Sequence, residues 1–211
     1  MLTCFNSIGD VLLQCWKCAN DTAEQHLGRF DPWTLSNIID QDHMRLMDDR
    51  EEELTLSSLL QECEKMPDYD GKAVARAKIL FNLGTCLEHL ERYAEEEPVA
   101  LELVAYGRRK GDSIEELRGI VLAAGAQTKL GKYVLAEESL RRSVFLIDTT
   151  EGMGRRSPWA IQQLGRLEEF LMSMGRIEEA ETIKADITSR LKQYDVDTEL
   201  EEIVDQAQTD Y

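Results

Sequence analysis

Leu130 to Val144 reads LGKYVLAEESLRRSV, a Gly-Lys-Tyr turn that ends one helix and opens the next. The pattern returns at Met174-Gly175-Arg176-Ile177-Glu178-Glu179-Ala180-Glu181, and in worn form at Leu90-Glu91-Arg92-Tyr93 and Met47-Asp48-Asp49-Arg50. Aligning the basic residue of each turn puts Arg50, Arg92, Lys132 and Arg176 in register, at spacings of 42, 40 and 44 residues. A period near 40, with helical periodicity on both sides of each turn, predicts stacked α-hairpins that bury a face only against their neighbours. The expected fold is therefore all-α, one array over residues 1–211.

Working outward from the turns gives four hairpins, at 32–66, 73–106, 113–146 and 158–194, after a leading amphipathic helix at 5–26. Asp31-Pro32 and Ser157-Pro158 each read as an N-cap followed by a proline at the first helical position, where its missing N–H costs nothing. The two pairs lie 126 residues apart, three repeat lengths. Ser113-Ile114-Glu115-Glu116 reads as a capping box, and Thr198-Glu199-Leu200-Glu201 as another that opens a polar closing helix at 198–208. Because the helix at 5–26 has no earlier partner, its apolar face is expected to offer a surface for self-association, or for the rest of a longer array.

Forty-one acidic residues against 24 basic ones give a formal charge of −17. That balance argues against nucleic acid and anionic membranes as partners. The N-terminal stretch lacks a basic flank and is broken by Asn6, Asp10 and Gln14, so the chain reads as a soluble cytoplasmic protein. Five cysteines, Cys4, Cys15, Cys18, Cys63 and Cys86, form an odd set scattered through helical segments, which suits a reducing compartment. Cys15 and Cys18 have C-x-x-C spacing, but no second pair exists to complete a metal site. No metal and no cofactor are expected.

Leu83-Gly84, Gly131-Lys132-Tyr133, Glu95-Glu96-Glu97-Pro98, and Leu27-Gly28 with Asp31-Pro32 together resemble the tetratricopeptide repeat family, in particular the longer-period repeats of kinesin light chains. The likeness spans about residues 5–194. Gln41-Asp42 and Leu167-Glu168 depart from the Leu-Gly pair, and Glu96 stands where a small alanine is usual. The resemblance implies a right-handed superhelical solenoid of stacked antiparallel hairpins, whose first helices line a concave groove. Carried onto this sequence, the groove positions include His43; Lys78, Phe81, Asn82, Thr85, Glu88 and His89; Arg118, Leu122, Gly125 and Lys129; and Arg166.

The basic members of that set have two readings. In one, Lys78, Asn82, Arg118 and Arg166 converge to hold an acidic peptide or a C-terminal carboxylate through charge-assisted hydrogen bonds. In the other, they pair with Glu88, Glu115, Glu116 and Glu169 on neighbouring turns and merely solvate the groove. The family's chaperone-tail clamp is matched only by Asn82 and Arg118, with Ile39, His43 and Leu122 in its other places. Chaperone tails are therefore not the expected ligand.

No catalytic residue is assigned. Cys86 and His89 stand at i and i+3, a spacing at which an imidazole can activate a thiolate, but Cys86 falls at a packing position and is expected to be an inert buried thiol. No phosphate-binding glycine loop or nucleophile elbow is present. The expected task is that of a non-catalytic scaffold taking a peptide in its groove. The alternative is a groove adapted to bind or transform a small molecule around His43, Phe81 and His89.

Overall fold

The computed structural model describes residues 48–65, 70–150, 154–155 and 157–192. They form helices α1 (Asp49–Lys65), α2 (Asp70–His89), α3 (Tyr93–Lys110), α4 (Ser113–Lys129), α5 (Tyr133–Thr149), α6 (Pro158–Ser173) and α7 (177–192), with no strand among the described residues. Helices adjacent in sequence pack on one another: α1 on α2, α2 on α3, α3 on α4, and α5 on α6. The chain divides into two compact units, Met1–Gly131 and Lys132–Tyr211. The leading helix at 5–26, the first helix of the first hairpin and the closing helix at 198–208 lie outside the described residues.

Local chemistry sets the helix ends. The Asp48 carboxylate accepts from the Arg50 and Glu51 amides at 3.1 and 2.8 Å and caps α1, as Asp112 caps α4 through Ile114 and Glu115. Ser157 accepts from the Ala160 amide at 3.2 Å, with Pro158 opening α6. The cap of α4 thus lies one residue before the expected Ser113, because the Asp112 side chain takes the orphan amides. α3 runs on to Lys110, past the end expected at Tyr106. Gly107 does not break it: this glycine is a buried packing residue, and the left-handed stop is Gly111, at φ 68°.

In the first unit, Leu56, Leu59 and Cys63 of α1 pack with Ala75, Ile79, Leu83, Cys86 and Leu87 of α2. The opposite side of α2, Ala77 and Leu80, meets Leu103 and Tyr106 of α3. α2 therefore buries two faces, each leucine contributing roughly 1.5–3 kcal/mol. α3 and α4 approach backbone to backbone: a Cβ on Gly119 would lie 2.6 Å from the Val104 amide, and one on Gly107 2.3 Å from the Glu116 amide. Arg76 of α2 joins its flanking helices, donating to Glu64 of α1 and Glu102 of α3.

The second unit buries Ala136, Leu140, Leu146 and Ile147 of α5 with Leu164, Leu167, Phe170 and Leu171 of α6 and Ala180 of α7. Its helix ends repeat those of the first unit at an offset of 84 residues: α5 against α1 at both ends, α6 against α2 at its C-terminus, α7 against α3 at its start. Buried positions follow, with Leu56 matching Leu140, Leu83 matching Leu167 and Leu87 matching Leu171. This corrects the turn register in one respect. The residue that opens α1 in register with Lys132 is Asp48, not Arg50, and the spacings become 44, 40 and 44.

Candidate functional site

α2 and α4, the first helices of the hairpins expected at 73–106 and 113–146, both lie in the first unit and are in contact. The Arg118 guanidinium lies 5.0 Å from the centroid of the Phe81 ring. A Cβ on Gly84 would come within 2.8 Å of Leu122 Cδ1, and one on Gly125 would sit 3.7 Å from the Glu88 carboxylate. These contacts, 81 to 118, 84 to 122 and 88 to 125, occur in the same order along both helices, so α2 and α4 run side by side in the same direction. Gly84 eases that approach, since a Cβ there would make the end of the Leu122 side chain shift. Lys78, Asn82 and Thr85 are half-buried on α2 at helical spacing, and Arg118 and Gly125 are half-buried on α4.

The chemistry of this face is mixed. Arg118 also donates to Glu115 Oε1 at 2.6 Å, the neighbouring-turn pairing that the bland reading requires, while 38% of its side chain stays exposed. The guanidinium over the Phe81 ring makes a cation–π contact worth roughly 0.5–1 kcal/mol at such sites. Thr85 donates to its own helix, at the Phe81 carbonyl, 3.1 Å away. Lys129 is exposed, with its ammonium 6.0 Å from the Tyr93 ring centroid. Leu122 is 5% exposed and belongs to the core with Ala100 and Ala123, not to an open groove. Phe81 packs against that same cluster.

The other sequence-derived positions separate. His89 ends α2 and faces α1, with Nδ1 3.6 Å from Asp49 Oδ1. Cys86 is buried and donates to the Asp49 carbonyl at 2.7 Å. Burial, with the carboxylates of Glu52, Asp49 and Glu53, pushes its thiol up to about 12, so the pair holds no activated thiolate near neutral pH. Arg166 is exposed on α6, in the second unit. His43 lies outside the described residues, as does the Cys15/Cys18 pair.

Two constellations escaped the sequence reading. Arg92, in the turn before α3, donates to Glu95 at 2.8 and 2.5 Å and reaches Glu53 of α1 at 2.7 Å. Arg176, in the turn before α7, donates to Glu179 at 2.6 and 2.6 Å and to Glu137 of α5 at 2.6 Å. All three members of the clamp recur at the 84-residue offset. The second is Arg190, buried on α7, which holds Asp148 at 2.6 and 2.9 Å, Asp186 at 3.0 and 2.8 Å and the Arg155 carbonyl at 2.9 Å. Basic residues three before a glutamate, or 39 and 42 after an acid, are the signals that could have found them.

Fold and site together define a class: an all-helical protein of hairpins packed in sequence order, repeat-like in its side chains as well as its helix ends. No known protein family matches the chain, and no curated protein matches it. Among the described residues, no helix is long and apolar enough to cross a membrane, and no group of three or more His, Cys, Asp or Glu is arranged to hold a metal ion.

Proposed function

We propose that the chain is a tetratricopeptide-like interaction scaffold, without catalytic activity of its own, that binds an acidic peptide segment or C-terminal carboxylate along the α2/α4 face. The observation that carries this reading is the side-by-side run of α2 and α4, with the Arg118 guanidinium over the Phe81 ring and Lys78 and Asn82 half-buried along α2. A guanidinium braced by Phe81 and Glu115, with 38% of its side chain exposed, is preorganised for a carboxylate, which lowers the ordering cost of binding. The local cations act within a Debye length, about 8 Å at physiological salt, so an anion can bind despite the overall negative charge.

The test is titration with acidic peptides that carry free or amidated C-termini. Free acids should bind more tightly, affinity should fall with salt, and Arg118→Ala should weaken binding roughly ten- to hundred-fold, the worth of one hydrogen bond to a charged group. Salt-independent binding, or Arg118→Ala binding as tightly as wild type, would sink the proposal. So would purified protein that retains a small molecule but takes no peptide.

A further inference from the structure

Glu96 lies in the first turns of α3, wholly buried, and neither of its carboxylate oxygens has a hydrogen-bond partner among the described residues. Placed by their turns, its counterparts in the other second helices are the half-buried Glu52 of α1 and the buried Ala136 of α5 and Ala180 of α7. Glu96 thus buries its carboxyl group completely at a position where α5 and α7 place a methyl group and α1 a carboxyl that stays partly exposed. Burying an ionised carboxylate without a partner is so unfavourable that the group keeps its proton instead. Burial first, and then the Glu88 carboxylate on α2, push Glu96 from its ordinary 4.5 up to about 7.

The surrounding charges give no relief. On α2, Glu88 faces it and raises it further, while His89 is directed to Asp49. On α4, Lys129 lies over the Tyr93 ring. On α3 itself, Glu95 is held by Arg92, which also takes Glu53 of α1. The turn that carries Glu96 is also weakly joined to the rest of its helix. Pro98 stands inside α3, and without an N–H it leaves the Ala94 carbonyl no helical donor. Residues 93–97 are thus a segment with a hinge at its C-terminal side and a buried acid inside it, at the positive end of the helix dipole, where an exposed carboxylate is favoured.

We infer that Glu96 is a built-in pH-sensitive latch: protonated, it closes the start of α3 against its neighbours, and on losing its proton it swings residues 93–97 outward about Pro98 into water. The device is independent of what the α2/α4 face binds. The sign is fixed by linkage. The closed form binds the proton more tightly than the open form, so closure is complete below about pH 4.5 and is lost as pH rises toward 7. Opening should increase about tenfold per pH unit between about 5 and 7, a few hundred-fold in all, and then level off.

Amide hydrogen exchange of the full chain across pH 5 to 8.5, corrected for intrinsic rates, tests this. Protection in the N-terminal half of α3 should fall over that window, while the half that ends at Lys110 holds its protection. Glu96→Gln should remove the pH dependence, and Glu88→Gln, which takes away the neighbouring negative charge, should move the carbon-13 titration midpoint of Glu96 down, so that the fall in protection ends at lower pH and is smaller. Should Glu96→Gln fold poorly, Glu96→Ala, which introduces the residue found at this position in α5 and α7, serves in its place. Protection that does not change with pH in wild type, an equal fall in Glu96→Gln, or loss spread evenly over α3 and α4 would each overturn the latch.

Discussion

Two glycines on first helices show how little a residue type says without its surroundings. Gly119 sits where a Cβ would press on the Val104 amide and the Ala100 carbonyl, at 2.6 and 2.9 Å, whereas nothing lies within 4 Å of a Cβ on Gly165. The first contact is with backbone, which cannot move aside as a side-chain end can. Gly119→Ala should therefore destabilise the first unit by about 1–3 kcal/mol, the range of overpacked cores. Gly165→Ala should stabilise by about 0.5–1 kcal/mol through helix propensity. Urea denaturation of the two variants checks both, and equal effects would refute the packing account.

The turns and helices were the most legible level, because capping and φ demands are local. Pro158 with Ser157 and Gly131 with Lys132 mark their helix boundaries, and the α2 end, the α4 span and the α6 start fall within a few residues of the sequence expectation. What was not legible depended on partners far along the chain. Gly107 read as a terminator because only the α4 backbone, 2.3 Å from its missing Cβ, makes it a packing residue. Arg92 and Arg176 read as turn markers because their long-range acids lie 39 residues away, beyond any local window. Of the groove set, Phe81 and Arg118 meet between α2 and α4, while Leu122 is core and His89 turns to α1, differences that a helical stripe alone cannot resolve.

Turn geometry gives a further test at this scale. Glu91 holds φ 57°, where Gly131 and Gly175 stand in the corresponding turns at 71° and 73°. A left-handed conformation strains a residue with a Cβ, so Glu91→Gly should stabilise by about 1 kcal/mol, read as a higher urea midpoint. The clamp in the second unit makes a pH prediction of the opposite sign to the latch. The Arg176 guanidinium holds Glu137 and Glu179 below the usual carboxylate range. Their contribution is present above about pH 4.5 and lost as pH falls through their lowered values. Acidification from pH 6 to 3 should loosen α5 and α7 in wild type, and less so in Arg176→Gln. Hydrogen exchange that is equally acid-sensitive in the variant would remove the clamp as the cause.

At the scale of the molecule, the 84-residue recurrence joins helix ends, buried leucines and a three-residue ion-pair clamp into one repeated frame, yet each unit has a core of its own. Contacts run between helices close in sequence, the condition under which stability is set repeat by repeat and openings stay local. Gly119→Ala acts on the α3/α4 contact inside the first unit, so it should raise amide exchange in α3 and α4 by roughly the ten- to hundred-fold that 1–3 kcal/mol implies. Exchange in α5, α6 and 177–192 should change by less than that. Replacing Arg190 by Ala leaves Asp148 only its longer ion pair with Arg155, at 3.4 Å, and should do the reverse, opening the second unit first. Exchange that rises by the same factor in all seven helices, in either variant, would mean that the chain opens as one cooperative block and that the two units are divisions of geometry alone.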